Sequence, residues 1–148
     1  MNHKSIKIEY SGRRANVDCK IAKLILMCWQ CGIDTDLSCE NNVPKNWIWI
    51  CFHTARDAER FISIVGVDKE NEIYDRIYQE WDIKSRKKWR YNINLCDLSQ
   101  DFVPDEKGEC VEIKSLGPSC ALMSVSIRFP YSDLKYVEKM FENKLKNV

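Results

Sequence analysis

The sequence predicts a single α+β domain in which helices pack on one face of a mostly antiparallel sheet. Short stretches of alternating apolar residues predict strands, and two of these stretches run directly into amphipathic helices. The two strand–helix units, 50–61 and 127–137, share a Phe at the strand end and an Asp near the helix cap, which suggests a pseudo-repeat. No segment has the composition of an interdomain linker, so we expect residues 1–148 to form one domain.

The composition excludes several classes of protein. Hydrophobic residues make up 45% and charged residues 30% of the chain, as in globular proteins, and the net charge is only +1. Attraction of the whole molecule to nucleic acid or an anionic membrane is therefore not expected. The first residues contain no apolar run, and the longest apolar stretch is far shorter than the ~20 residues of a membrane helix. We expect a cytoplasmic protein with reduced cysteines, no membrane partner and an oligomeric state that the sequence does not specify.

Most elements of the first half have local signals. Alternation predicts an opening strand (Ile6, Ile8, Tyr10), and Ser11–Arg14 is a turn. Asp18 is positioned to cap a helix that ends at Gly32 and carries a buried stripe (Ile21, Leu24, Ile25, Cys28). A strand with one buried face follows over 33–40. Trp47–Phe52 is apolar on both faces, which predicts a strand that is covered on both sides or lies centrally in the sheet. Thr54 and Asp57 form a capping box for a helix that Gly66 closes.

The second half is predicted with fewer signals. We expect a helix over about Lys69–Asp82, a strand over Trp89–Leu95 and a loop over Asp97–Glu109. A further strand is expected at Cys110–Ser115, followed by a turn at Leu116–Ser119. Alternating apolar residues over 123–129 predict another strand. Pro130 ends it, and a helix begins near Ser132-Asp133 with its apolar stripe on Leu134, Val137, Phe141 and Leu145.

The polar residues at the end of the 33–40 strand are the main candidate site. Ser38 and Glu40 share one face of the strand, whereas Cys39 shares the parity of Leu37 and is expected to point into the core. Ser38, Glu40 and Asn41 offer donors and acceptors to a small ligand, with Trp49 as an aromatic wall. The alternative is a polar turn in which the Asn side chains satisfy backbone groups.

Two arginines suggest an anion site on the sheet. By alternation, Arg90 projects opposite to Trp89, and Arg128 shares a face with Ser126. If the two strands are neighbours, the guanidinium groups form a cationic surface suited to a phosphate or carboxylate. The alternative is an exposed polar sheet face. The predicted ligand-binding residues are therefore Ser38, Glu40, Asn41, Trp49, Arg90 and Arg128.

Other chemistry has weaker support. Cys39 is a candidate nucleophile if His53 lies beside it, and Glu40 is a candidate general base. A single Cys28-x-x-Cys31, even with Cys39 and Cys51, is better explained by core packing than by zinc, so we expect no metal and no cofactor. The basic stretch Lys84–Tyr91 interleaves cations with aromatics, a pattern that can bind RNA. The alternation of Trp89 and Tyr91 instead favours a solvated connection in which both rings face the core.

The frame Val17-Asp18-x-x-Ile21-Ala22 leading into Gly32-Ile33-x-Thr35-x-x-Ser38-Cys39-Glu40 resembles small, mostly uncharacterised prokaryotic and viral proteins. The resemblance continues through Trp47–Phe52, Asp57–Phe61 and Ser126–Pro130 and covers about two-thirds of the chain. The Ser-Cys pair is also distantly similar to the Ser-Cys-Ser-Gly segment of the wybutosine-synthesis enzyme, but Glu40-Asn41 stands where that segment has Ser-Gly. The resemblance implies a shared fold and a shared polar centre, and no reaction.

Together these features predict a small intracellular, non-catalytic protein that binds a small polar ligand, with a nucleotide-like molecule as one candidate, or a protein partner. A thiol- or carboxylate-dependent enzyme using Cys39 or Glu40 is the first alternative. RNA binding through Lys84–Tyr91 is the second, and nucleic acid is not the favoured partner.

Overall fold

The computed structural model describes residues 3–42, 45–66, 77–79, 89–95, 102–104, 110–112 and 123–147. In chain order, the elements of these residues are β1 Ser5–Tyr10, β2 Arg13–Asp18, α1 Ala22–Gln30, β3 Thr35–Asn42, β4 Trp47–Phe52, α2 Ala55–Val65, β5 Ile77–Gln79, β6 Trp89–Leu95, β7 Phe102–Pro104, β8 Cys110–Glu112, β9 Met123–Pro130 and α3 Leu134–Lys146. A short 3-10 turn, Tyr131–Asp133, joins β9 to α3.

The main sheet has five strands in the order β3-β4-β9-β6-β5. Its pairs are antiparallel except for β5 and β6, which are parallel. Two separate antiparallel pairs, β1–β2 and β7–β8, complete the described strands. The predicted α+β architecture with a mostly antiparallel sheet is therefore confirmed.

Helices α2 and α3 cover one face of this sheet. Phe61 of α2 lies at its centre, with its ring centroid 5.1 Å from that of Phe52 and 5.4 Å from that of Phe141. Trp89 stacks on Phe129 with centroids 4.6 Å apart. The two predicted strand–helix units, β4–α2 and β9–α3, thus stand side by side on antiparallel neighbours and bury their helices on the same face.

Helix α1 lies between this core and the β1–β2 hairpin. The hairpin turns at Ser11 and Gly12, whose φ angles of 48° and 82° are those of a tight two-residue turn. The predicted end of α1 is confirmed. Gly32 has a φ of 69°, and the N–H of the next residue, Ile33, donates to the Cys28 carbonyl at 2.9 Å.

The predicted role of Asp18 as the cap of α1 is wrong. The helix begins after Ile21, which makes no side-chain cap hydrogen bond. Asp18 instead ends strand β2, which the sequence pattern does not indicate because its residues are mostly polar and only Val17 is buried. This change moves the Asp18 carboxylate to the end of the hairpin.

A β-bulge in β3 overturns the predicted parity of that strand. The register with β4 shifts between Thr35 and Leu37. Thr35 is buried, whereas Leu37 is 60% exposed. A bulge adds one residue to one strand and so moves the following side chains to the other face. The prediction that Leu37 and Cys39 point into the core is therefore wrong, and Cys39 is only half-buried.

The second half of the chain differs from prediction in two places. Residues 77–79, expected in a helix, form β5 because they pair with the start of β6. Residues 102–104, expected in a loop, form β7. Strands β6, β8 and β9 match predicted strands. The rest of the expected 69–82 helix and the 116–119 turn lie outside the described residues. In the part of the chain that the structure describes, no helix is long and apolar enough to cross a membrane.

Candidate functional site

The end of the β1–β2 hairpin meets the end of β3 in a cluster of polar side chains. The hairpin register pairs Ser5 with Asp18, which leaves His3 just beyond the paired residues. The Nδ1 atom of His3 lies 3.1 Å from Oδ2 of Asp18. The backbone N–H of Glu40 donates to the same carboxylate oxygen at 2.9 Å. Asp18 therefore joins the segment before β1 to the edge strand β3.

Cys39 completes this cluster, which we call the HDC cluster after His3, Asp18 and Cys39. One ring nitrogen of His3, one carboxylate oxygen of Asp18 and Sγ of Cys39 all lie within 4.8 Å of one another. The side chains of His3 and Asp18 are 19% and 16% exposed. A nitrogen, an oxygen and a sulfur donor thus converge at a place that solvent can reach. Such a set can hold a transition metal or activate a thiol.

Glu40 contacts the backbone and the side chain of Lys20. Its Oε2 accepts a hydrogen bond from the backbone N–H of Lys20 at 2.8 Å. Its side chain is only 10% exposed, and its Oε1 lies 4.0 Å from Nζ of Lys20. Glu40 therefore ties β3 to the segment that leads into α1, and its contact with a ligand stays a prediction.

Ser38 and Asn41 lie in surroundings of their own. Oδ1 of Asn41 accepts from the backbone N–H of Asn46 at 2.8 Å, which is the turn chemistry considered as the alternative. Ser38 pairs with Ile50, a residue of the helix-covered face, and lines a cavity of about 260 Å³ between β2 and β3.

The other three predicted residues do come together. The register pairs Cys39 with Trp49, Trp49 with Arg128, and Arg128 with Arg90. Directly paired residues of antiparallel strands point to the same face of a sheet. These four side chains therefore form one row, the cationic row, on the face opposite to α2 and α3. The conditional prediction that Arg90 and Arg128 are neighbours is confirmed.

The cationic row is more buried than an exposed polar face. Arg90 is 8% exposed, and its guanidinium carbon lies 4.7 Å from the ring centroid of Trp47, a cation–π contact. The Nε atom of Arg90 and the indole Nε1 of Trp49 are both buried and make no hydrogen bond in the structure. In β4, β6 and β9, this face carries no carboxylate.

The structure separates His53 from Cys39, and it buries Cys28 of the CxxC motif completely and Cys31 in part. His53 is exposed and follows the end of β4 that pairs with Thr35, away from Cys39. Burial raises the pKa of the Cys28 thiol well above its ordinary value, and burial also raises that of Cys31.

The basic stretch proposed for RNA is described only in part, because residues 84–88 lie outside the described residues. Trp89 is completely buried, and its indole N–H donates to Oδ2 of Asp133 at 2.8 Å. Its ring cannot stack on a base without leaving the core.

Sequence reasoning missed His3 and Asp18 as site residues. His3 precedes the first strand and carries no local pattern. Asp18 has a plausible local role as a helix cap, which hides its long-range contact. The resemblance frame does contain both Asp18 and Cys39, and the two halves of that frame meet in space at the hydrogen bond between Asp18 and the N–H of Glu40.

The fold and this polar strand end define a small α+β protein with a Cys-His-Asp cluster near two paired arginines, of which Arg90 is buried and Arg128 half-buried. The chain is 30% identical over 142 residues to the protein named "Uncharacterized protein R428" of Acanthamoeba polyphaga mimivirus, covering 93% of this chain and 67% of that protein. It belongs to the same family as that viral protein, which confirms the predicted resemblance to an uncharacterised family with viral members. No family model matches the chain. No solved structure matches it significantly.

Proposed function

We propose that the protein binds a small anionic ligand, with a nucleotide-like phosphate compound as the favoured class, on the sheet face that carries the cationic row. The observation that carries this proposal is the register pairing of Arg90 with Arg128, combined with the burial of a hydrogen-bond donor of Arg90 that has no acceptor. The function is binding, and no chemical step is needed to account for these residues.

Electrostatics support an anion at this place. Like charges directly opposite each other on neighbouring strands are destabilising. A buried donor without an acceptor costs about 1–3 kcal/mol. The cation–π contact with Trp47 offsets part of the cost of burying Arg90, but it supplies no acceptor for Nε. A phosphate or carboxylate between the two guanidinium groups would relieve the repulsion and accept that hydrogen bond.

The neighbouring indole supports a ligand that is larger than an inorganic ion. Trp49 is half-buried beside Arg128, and its indole N–H lacks an acceptor. Tryptophan combines an apolar ring with one polar donor, so it can contact a flat ring while donating to an oxygen. A mononucleotide offers both a phosphate and a flat base.

Titration calorimetry with the full chain tests the proposal, using adenosine and uridine monophosphate, citrate and inorganic phosphate as probes. We expect saturable binding of at least one probe, weakened about tenfold or more in Arg128→Gln, because a charge-assisted hydrogen bond contributes about 1.5–3 kcal/mol. Arg14→Gln is the matched control, since Arg14 is an exposed arginine on the hairpin that pairs with Glu9. Flat titrations with all four probes, with folding verified by circular dichroism, would reject the proposal.

A further inference from the structure

We propose that the HDC cluster is a binding site for a divalent transition-metal ion of the zinc class, with His3, Asp18 and Cys39 as its three protein ligands. In the described part of the chain, these are the only histidine, cysteine and carboxylate groups that converge in this way. A nitrogen, a carboxylate oxygen and a thiolate are the three ligand types that zinc takes in proteins.

The distances fit one ion. Bonds to zinc of about 2.0–2.3 Å place two ligands of a tetrahedral site roughly 3–4 Å apart. The distance of 3.1 Å between Nδ1 of His3 and Oδ2 of Asp18 lies in that range, and the whole set lies within 4.8 Å. Binding of the ion would draw Sγ of Cys39 closer to the other two ligand atoms. In the metal-free protein a hydrogen bond joins His3 and Asp18. The ion would take the place of that hydrogen, and the Cys39 thiol would release its proton to solvent on binding.

The backbone around the cluster already holds the ligands. The N–H of Glu40 donates to the Asp18 carboxylate at 2.9 Å, a contact that orients a metal ligand from outside the site. The same residue follows Cys39, so the hydrogen bond also keeps the thiol beside Asp18. Glu40 is in turn held by the N–H of Lys20 at 2.8 Å. Three ligands from separate segments are thus positioned before the ion arrives.

Three protein ligands leave at least one position open on the ion. The partial exposure of His3 and Asp18 allows water or an external ligand to fill it, as in zinc sites that bind substrates. The metal site is distinct from the anion site, although the two sites overlap at one residue. The two share only Cys39, at the end of the cationic row, and the arginines are not ligands of the ion.

Zinc binding to the full chain tests this site, with any affinity tag removed because histidine tags bind zinc. We expect one equivalent of Zn²⁺ by calorimetry and by elemental analysis. We expect Cys39→Ser and His3→Gln each to weaken binding at least about tenfold. Asp18→Asn is the milder variant, because its amide oxygen still accepts from the Glu40 N–H while the charge is lost. Cys31→Ser is the matched control and should bind as the unaltered chain does, since Cys31 is a half-buried cysteine outside the cluster.

Circular dichroism and thermal melting of each zinc-free variant separate lost binding from lost folding. Equal zinc affinity in the folded Cys39→Ser and His3→Gln variants, or no zinc binding by the folded unaltered chain, would overturn the proposal. Alkylation of Cys39 gives a second readout. A zinc-bound thiolate should be protected, so fast labelling that saturating zinc does not slow would instead assign Cys39 as a free nucleophile. Arginine variants of the cationic row should leave the zinc affinity unchanged.

Discussion

Asp18 and Glu40 are joined by a hydrogen bond in which the backbone N–H of Glu40 donates to Oδ2 of Asp18 at 2.9 Å. The carboxylate of Glu40 makes a second hydrogen bond, in which it accepts from the backbone N–H of Lys20 at 2.8 Å. Together the two hydrogen bonds tie the edge strand β3 to the end of the hairpin and to the residues that follow it. It also satisfies a backbone donor on an edge strand, where unpaired donors favour aggregation.

Glu40→Ala should lower the free energy of unfolding by about 1–2 kcal/mol, because it removes the charged acceptor of the Lys20 N–H. Glu40→Gln keeps a side-chain oxygen and should cost less. Urea denaturation followed by tryptophan fluorescence measures both. Glu9→Ala is the control, since the Glu9 side chain is 51% exposed and an exposed ion pair contributes little. A Glu40→Ala loss no larger than the Glu9→Ala loss would contradict this role.

Gly32→Ala should destabilise the protein by about 1 kcal/mol, because the φ of 69° is costly for any residue with a Cβ. Nothing lies within 4 Å of the added Cβ, so the effect comes from the backbone alone. Gly66→Ala is a matched control at the end of α2, where φ is −85°. Thermal unfolding should show a clearly lower melting temperature for Gly32→Ala. Gly66→Ala should show little change, because its φ suits a residue with a Cβ. Equal stability of Gly32→Ala and the unaltered chain would refute the helix-cap assignment.

Thr35→Val should lower the free energy of unfolding by about 1–3 kcal/mol, since it leaves the buried indole N–H of Trp29 without its acceptor. That N–H donates to Oγ1 of Thr35 at 2.9 Å. Thr35→Ser retains the hydroxyl and serves as the control, so it should lose only the contacts of one methyl group. Chemical denaturation of the three proteins tests the ranking, and a Thr35→Val variant as stable as Thr35→Ser would disprove it.

Cys28 should make the protein less stable at alkaline pH. Burial raises the pKa of its thiol in the folded state above the ordinary value of 9.0. At a pH above that value the unfolded chain loses the proton while the folded protein keeps it, so the folded state binds more protons and the free energy of unfolding falls as pH rises. Below that value the contribution of this thiol is fully present.

The measurement is the difference in unfolding free energy between the unaltered protein and Cys28→Ala from about pH 8 to pH 10. We expect the fall with pH to be steeper in the unaltered protein, because the variant lacks this thiol while all other groups titrate in both. An equal fall of the unfolding free energy with pH in both proteins would contradict a raised pKa of Cys28 in the folded state.

Elements with strong local signals were predictable from sequence. The Thr54 hydroxyl accepts from the N–H of Asp57 at 3.1 Å, as the capping pattern indicates. Trp47–Phe52 lies centrally between β3 and β9, as its two apolar faces indicate. In contrast, the bulge after Thr35 depends on pairing with β4, and β5 depends on pairing with β6. Pairing with a distant strand leaves no local pattern, so neither was predictable.

The candidate site shows the same division. Trp49, Arg90 and Arg128 could be selected from strand alternation, because alternation decides which face a side chain occupies. Their assembly into one row required the register. Ser38, Glu40 and Asn41 were chosen for their chemistry. In the structure, Glu40 and Asn41 accept hydrogen bonds from the backbone N–H groups of Lys20 and Asn46. Ser38 lies on the sheet face that α2 and α3 cover.

The sequence by itself determined the α+β class, the Thr54 cap of α2, the end of α1 at Gly32 and the faces of the best-patterned strands, because periodicity and capping are local properties of the chain. Only the tertiary structure decided that Asp18 ends a strand instead of capping a helix, and that Cys39 lies outside the core. It also decided that His3 lies close to both Asp18 and Cys39. Those contacts arise where a hairpin end meets an edge strand, and the energy that holds them comes from hydrogen bonds between residues distant in sequence.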